Sequence, residues 1–244
     1  MTKLRVLDLF SGFGGVSLGL ERTGGFETIA FCEIEPFPRR VLAHHWPEVP
    51  CYDDVRTLTA ARLAADGIRP DVIAGGFPCQ DISLAGKGAG LGGEQSGLWG
   101  EYLRLIGEIR PAYVIVENVS ALLSRGMGDV LAGLASCRYD AEWDCLPASF
   151  VGAPHNRDRV WLIAYPQRDE QSRPQSCFGA IGRMGRVEQP VSWDQPWRDA
   201  LSELRGLDDG LPRSVASTDG YRNAVVPQIP ELIGRAILQA EAHA

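Results

Sequence analysis

"LDLFSGFGGVSLGLE", residues 7–21, decides how the rest of the chain is read. It continues a short apolar run that begins at Lys3, "KLRVLDLF", then crosses glycines at Gly12, Gly14 and Gly15. Helical spacing follows and stops at Gly24 and Gly25. Strand, glycine turn and helix form one unit, and the unit recurs. "FETIAFCEI" (26–34) reads as a second strand, and "PFPRRVLAHHW" (36–46) as a helix opened by proline. "PDVIAGG" (70–76) is a third strand. "AYVIVENV" (112–119) is a fourth, apolar enough to be buried on both faces. Between those two, "SGLWGEYLRLIGEIR" (96–110) is an amphipathic helix. The alternation predicts an α/β fold: a mostly parallel sheet with helices on both sides.

Beyond residue 138 the pattern changes. "YDAEWDCLPAS" and "RVWLIAY" read as an antiparallel hairpin pair joined by the polar "FVGAPHNRD". Residues 166–212 are polar with scattered Gly, Pro, Gln and Arg, and only "WRDALSELRGL" has helical spacing. The segment is expected to be a small irregular subdomain. "PQIPELIGRAILQAEAHA" predicts a terminal helix with an apolar stripe at Leu232, Ile233, Ile237 and Leu238. The expected organisation is one main domain, 1–165 and 213–244, interrupted by the region 166–212.

The chain has 244 residues, 45% hydrophobic and 23% charged, the make-up of an ordinary globular domain. No apolar run approaches the roughly 20 residues that cross a bilayer. The first residues carry no signal-peptide pattern, so a cytoplasmic protein is expected. No cysteines form a Cys-x-x-Cys pair, and no histidines stand at metal-ligand spacing, so no metal site is expected. The net charge of −7 gives the surface as a whole no affinity for polyanions. Arginines are nevertheless dense from 157 to 186, at Arg157, Arg159, Arg168, Arg173, Arg183 and Arg186.

Two candidate sites emerge. The first is the glycine turn, which lets a ligand approach bare backbone at a helix N-terminus. The dinucleotide pattern G-x-G-x-x-G is incomplete, because Ser17 stands at the third glycine position. Glu33 follows at the end of the second strand, where a carboxylate can accept both hydroxyls of a ribose. Asp54, in "YDDV", ends the next unit near an adenine edge. These features point to a nucleoside-bearing cofactor. The spacing leaves NAD and S-adenosylmethionine both open.

The second site is "GGFPCQDIS", residues 75–83. Cys79 follows a strand's carboxyl end, where open parallel sheets keep their ligand crevice. A glycine-rich stretch from Gly86 to Gly97 follows it and is expected to move over a substrate. One strand later, Glu117 occupies the matching end. A thiolate adding to carbon 6 of cytosine makes carbon 5 nucleophilic. A carboxylic acid at the pyrimidine edge steadies the charge that develops on ring nitrogen 3. Arg157 and Arg159 are candidates to lower the thiol's pKa.

These residues resemble the DNA (cytosine-5)-methyltransferases. "DLFSGFGG" resembles that family's S-adenosylmethionine loop, "GGFPCQDIS" its catalytic Pro-Cys loop and "ENV" its catalytic glutamate motif. "HNRDR" is similar to its Gln-x-Arg-x-Arg motif, with His155 in place of glutamine, and "NAVVPQIPELIG" to its last motif, with Arg222 where glycine is usual. The resemblance covers residues 4–165 and resumes near Leu211. It implies a Rossmann-like S-adenosylmethionine-dependent fold that methylates carbon 5 of a cytosine flipped out of duplex DNA. Cys79 would be the nucleophile, Glu117 its carboxyl partner, and Arg157 and Arg159 would hold the pyrimidine. Phe10, Ser11, Gly12, Phe13, Gly14, Gly15, Glu33, Ile34, Asp54, Val55, Pro78, Leu98 and Asn223 would line the cofactor pocket. Gln80, Ser83, Arg173, Arg183 and Arg186 are the candidate DNA contacts, and the protein would act as a monomer in a bacterial or phage-infected cell. The region 166–212 is shorter than the family's target-recognition part. A cofactor-binding regulatory protein with little or no activity is therefore kept as an alternative, and so is an RNA cytosine-5 methyltransferase, because one branch of the family modifies transfer RNA.

Overall fold

A computed structural model of the chain describes residues 2–78, 97–153, 156–168, 175–184 and 224–242. The strands are β1 (Leu4–Leu9), β2 (Phe26–Cys32), β3 (Cys51–Tyr52), β4 (Val72–Gly75), β5 (Tyr113–Val119), β6 (Tyr139–Pro147) and β7 (Asp158–Pro166). They form one sheet in the order β3-β2-β1-β4-β5-β7-β6. The ladders from β3 to β5 are parallel, whereas β7 runs antiparallel to β5 and β6 antiparallel to β7. The chain winds outward from β1 to β3, then returns to place β4 on the other side of β1. That reversal opens a crevice at the strands' carboxyl ends.

The described helices are α1 (Gly15–Arg22), α2 (Pro36–His45), α3 (Ala60–Ala65), α4 (Gly97–Ile109), α5 (Leu122–Arg125), α6 (Met127–Ser136), α7 (Cys177–Met184) and α8 (Gln228–Glu241). Strand residues alternate between two cores. Leu7, Leu9, Ile73, Val114 and Val116 pack under α4 and α6, against Tyr102, Leu105, Ile106, Val130 and Leu134. Val6, Val72, Ile115, Trp161 and Ile163 pack under α1, α7 and α8, against Val16, Leu20, Ile181, Ile233 and Ile237. The sheet is thus covered on both faces, as the continuous apolar run of β5 requires.

Several elements depart from the sequence reading. β3 is two residues long, pairing Cys51 with Phe31 and Tyr52 with Cys32, too short for periodicity to reveal. α3 is a single capped turn and a half: the Thr59 side chain accepts the Arg62 N–H, and Leu63 alone is buried. α7 lies within the segment expected to be irregular. Its Cys177, Ala180 and Ile181 are buried in the same core as α8, and Glu142 of β6 accepts the Cys177 N–H at 2.8 Å and the Ser176 hydroxyl at 2.6 Å. The helical candidate at 197–207 lies outside the described residues.

α1 and α8 cross at glycines. A Cβ on Gly19 would stand 2.1 Å from the Pro227 carbonyl oxygen, which is backbone and cannot swing aside. Gly19→Ala is expected to push the two helices apart and cost about 1–3 kcal/mol. The midpoint of urea unfolding reads this directly.

Candidate functional site

The first turn is built from the end of β1. Phe10 (φ 53°) and Gly12 (φ 52°) are left-handed, and Gly14 caps α1 at φ 76°. Ser11 closes the turn by donating its hydroxyl to the Asp8 carbonyl at 2.6 Å. The Asp8 carboxylate accepts the Ser17 hydroxyl at 2.7 Å. The residue that breaks the dinucleotide pattern thus ties α1 to β1. Asp8 is fully buried, and its Oδ1 has no hydrogen-bond partner. Burial pushes its carboxyl up from 3.8 to about 7, against the bond from Ser17.

Glu33, at the end of β2, holds the outer side of the turn. One carboxylate oxygen accepts the Gly12 N–H at 2.8 Å and the other the Glu35 N–H at 2.8 Å. Each oxygen keeps a lone pair for a ligand hydroxyl. Ile34 beside it is 57% exposed, a large apolar side chain facing solvent next to an anchored carboxylate. A Cβ on Gly12 would meet nothing within 4 Å, so its bare backbone faces open space. An exposed apolar side chain, a carboxylate with free lone pairs and an open glycine turn leave room for a ligand that carries hydroxyl groups.

The third wall is the turn after β3. The Asp54 carboxylate is taken up locally. Arg56 Nε reaches its two oxygens at 2.9 and 3.1 Å, and the Arg56 N–H reaches one of them at 2.9 Å. That guanidinium holds the Asp54 carboxyl below its ordinary range. Val55 is 4% exposed, so its side chain belongs to the core and only its main chain can face a ligand. Arg104 of α4 donates to the carbonyls of Val55 and Leu58 at 3.1 and 2.7 Å, clamping this turn to the helix. Leu98, in the first turn of α4, and Phe10 pack on the same core cluster, and Phe10 stacks on Tyr102.

The second site forms where β4 and β5 end. Gly75 pairs with Val116, so Glu117 projects just past the ladder. A Cβ on Gly76 would lie 2.7 Å from the Glu117 Oε2, so the backbone three residues before Cys79 runs against that carboxylate. Pro78 is exposed. Arg159, opposite Val119 in the antiparallel ladder, places its Nε 2.9 Å from Glu117 Oε1. Burial raises the Glu117 pKa, opposed by the charges of Arg159 and then Arg157. Arg157 sits at φ 25°, and its pKa is lowered by burial and by the neighbouring Arg159. A carboxyl biased towards its neutral form can donate a hydrogen bond to a ring nitrogen while guanidinium groups hold a carbonyl.

Cys79, Gln80, Ser83, His155, Arg173, Arg186 and Asn223 lie outside the described residues. Arg183 is exposed in the last turn of α7. Sequence reasoning missed Asp8, Ser17, Arg104 and Asn118. Asn118 alone left a signal, as the neighbour of Glu117. Among the described residues no group of three or more His, Cys, Asp or Glu can hold a metal, and no helix is long and apolar enough to cross a membrane.

A sheet of this order, with an open glycine turn after β1 and an antiparallel β7, defines a Rossmann-like fold of the S-adenosylmethionine-dependent methyltransferase class. The family described as C-5 cytosine-specific DNA methylase matches residues 4–191, and the chain belongs to that family. The type II methyltransferase M2.BsuMI of Bacillus subtilis is 34% identical over 221 residues, 86% of this chain and 55% of that protein. A protein of Escherichia phage P1 called a DNA N-6-adenine-methyltransferase is 37% identical over 216 residues, 64% of this chain and 29% of that one. The crystal structure of a putative DNA modification methyltransferase encoded within an Escherichia coli prophage superposes with a TM-score of 0.57 at 27% identity, covering 69% of this chain and 50% of that one. The chain spans about half the length of the first of these relatives.

The buried Asp8 makes stability depend on pH. The folded protein keeps this proton up to about pH 7, whereas the unfolded chain releases it near 3.8. Its contribution is therefore complete below that lower value and is lost as pH rises through about 7. Asp8→Asn removes the titration. Between pH 5 and 8 the parent is expected to lose on the order of 2 kcal/mol relative to D8N, measured by urea unfolding at each pH.

Proposed function

We propose that the protein transfers a methyl group from S-adenosylmethionine to carbon 5 of cytosine in duplex DNA. The observation that carries this is the Glu117 carboxyl: mostly enclosed, paired with Arg159, and set against the backbone that leads towards Cys79. Methylation of an exocyclic amine, the chemistry in the phage P1 relative's name, needs neither a thiol nor such an acid. A carbon that is not nucleophilic needs both.

The cofactor would be held by Phe10, Ser11, Gly12, Phe13, Gly14 and Gly15 of the first turn and by Glu33 and Ile34. The main chain at Asp54 and Val55, with Pro78, Leu98 and Asn223, would complete the pocket. Bound there, it supplies an electrophilic methyl carried on a sulfonium. The chain's own residues do the rest. Cys79, as thiolate, forms a bond to carbon 6 of a flipped-out cytosine. Glu117 donates its proton towards ring nitrogen 3, so that the electron pair from the 5,6 double bond is available at carbon 5. Arg159 and Arg157 hold the carbonyl at carbon 2. After transfer, ring nitrogen 3 returns its proton to Glu117, a base removes the proton from carbon 5, the 5,6 double bond re-forms and the cysteine leaves as thiolate.

Residues 166–212 would be the target-recognition region, with Arg173, Arg183 and Arg186 meeting DNA alongside Gln80 and Ser83. Residues 1–165 and 213–244 would form the catalytic domain, to which α7 already contributes core packing. The protein would act as a monomer in the cytoplasm of a bacterial or phage-infected cell, a setting supported by the relatives' sources.

Two measurements test this. Tritium from labelled S-adenosylmethionine is expected in unmethylated bacterial genomic DNA and not in transfer RNA, and Cys79→Ser is expected to abolish it. Duplex DNA made with 5-fluorodeoxycytidine is expected to trap a denaturation-resistant adduct. Full transfer by C79S overturns the nucleophile. Transfer to RNA alone establishes the RNA enzyme. Tight cofactor binding with no transfer to either nucleic acid establishes the regulatory reading.

A further inference from the structure

Asn118 is the residue between Glu117 and the end of β5, and it is 4% exposed. Its side-chain oxygen accepts the Val119 N–H at 2.9 Å. Its amide nitrogen then faces the other way and donates to the Phe77 carbonyl at 3.0 Å. One planar group therefore joins the end of β5 to the segment that leaves β4. The position requires a donor and an acceptor at once. An ionised aspartate has two acceptors, and alanine has neither.

The bond matters because little else on the main chain can hold that segment. Pro78 has no N–H to give and fixes its own φ near −65°. The Phe77 carbonyl is thus the last fixed hydrogen-bonding point of the described backbone before Cys79. On either side the path is already narrow. Gly75 runs at φ 143°, and a Cβ there would fall 1.8 Å from the Leu9 carbonyl oxygen. Gly76 lies against Glu117, and the Phe77 ring packs on Trp99 with centroids 4.9 Å apart. The Asn118 amide adds a directional hold on the Phe77–Pro78 peptide plane relative to β5.

We propose that Asn118 is a positioning residue for methyl transfer: its amide registers the Phe77–Pro78 peptide against the strand end that carries Glu117, so that thiol and carboxyl are aimed from one dipeptide. This rests on the reading of Cys79 as nucleophile and extends it.

The test uses Asn118→Asp and Asn118→Ala in the full chain. At neutral pH the N118D carboxylate sets an oxygen against the Phe77 oxygen, whereas its protonated form restores the donor. Single-turnover formation of the adduct with 5-fluorodeoxycytidine duplex DNA is expected to fall about 100-fold in both variants at pH 7.5. From pH 7.5 to 5.5, N118D is expected to regain at least tenfold relative to the parent's own profile, while N118A keeps the parent's profile. Affinity for S-adenosylhomocysteine should stay within about twofold of the parent in both. Parent-like rates in N118D overturn the inference, and so does a loss in N118D with no recovery on acidification. If N118D does not fold, as judged by urea unfolding, N118A alone is read on the same assay, and a parent-like rate there overturns the inference. A parent protein that transfers methyl while forming no adduct removes the nucleophile and this inference with it, an outcome distinct from any difference among the Asn118 variants.

Discussion

The parallel ladder between β4 and β5 is the constraint on which the site depends. In a parallel pair both strands deliver their carboxyl ends to the same edge of the sheet. With Gly75 paired to Val116, β4 stops one residue short of Glu117, and the outgoing chain must cross that carboxyl. Side chains at Gly75 and Gly76 would overlap the Leu9 carbonyl and the Glu117 carboxylate, so the doublet answers to a close approach of backbone. The reversal at β7 completes the arrangement. Because β7 is antiparallel to β5, its first residues, not its last, lie at the crevice. Arg157 and Arg159 are thereby carried to Glu117 by topology, and the buried carboxyl has a guanidinium partner without any local sequence relation between them.

Much of this was legible in the sequence, and what escaped was long-range. β1, β2, β4 and β5 are dense in branched and apolar residues, and α4 and α8 carry a clean apolar stripe, so local composition and spacing identified them. β3 has two residues and α7 is interrupted by Gly179 and Gly182. Each is stabilised by what it meets, α7 by α8 and by Glu142 from a distant strand. In the site, Glu33 and Glu117 were legible because strand ends are countable. Asp54 was placed near a ligand by the same count, but Arg56 lies two residues on and takes its carboxylate. Ser17 looked like a defect in a glycine motif. It is a partner to Asp8, a relation that only the packing of α1 on β1 creates.

Asp8, Glu33 and Glu117 stand at the ends of three strands of one sheet and meet three environments. Asp8 is fully buried with one hydroxyl donor and an orphaned oxygen, so desolvation dominates and it titrates near neutrality as a strut of the turn. Glu33 binds a backbone N–H with each oxygen and keeps lone pairs free beside an exposed apolar side chain. Glu117 is less completely enclosed than Asp8, its side chain 13% exposed, and two guanidinium groups oppose its desolvation. Its proton is therefore held less firmly than burial alone would dictate. The fold supplies a carboxyl at three strand ends, and the difference between them lies in what each is packed against: a buried core, two backbone N–H groups, or guanidinium charge.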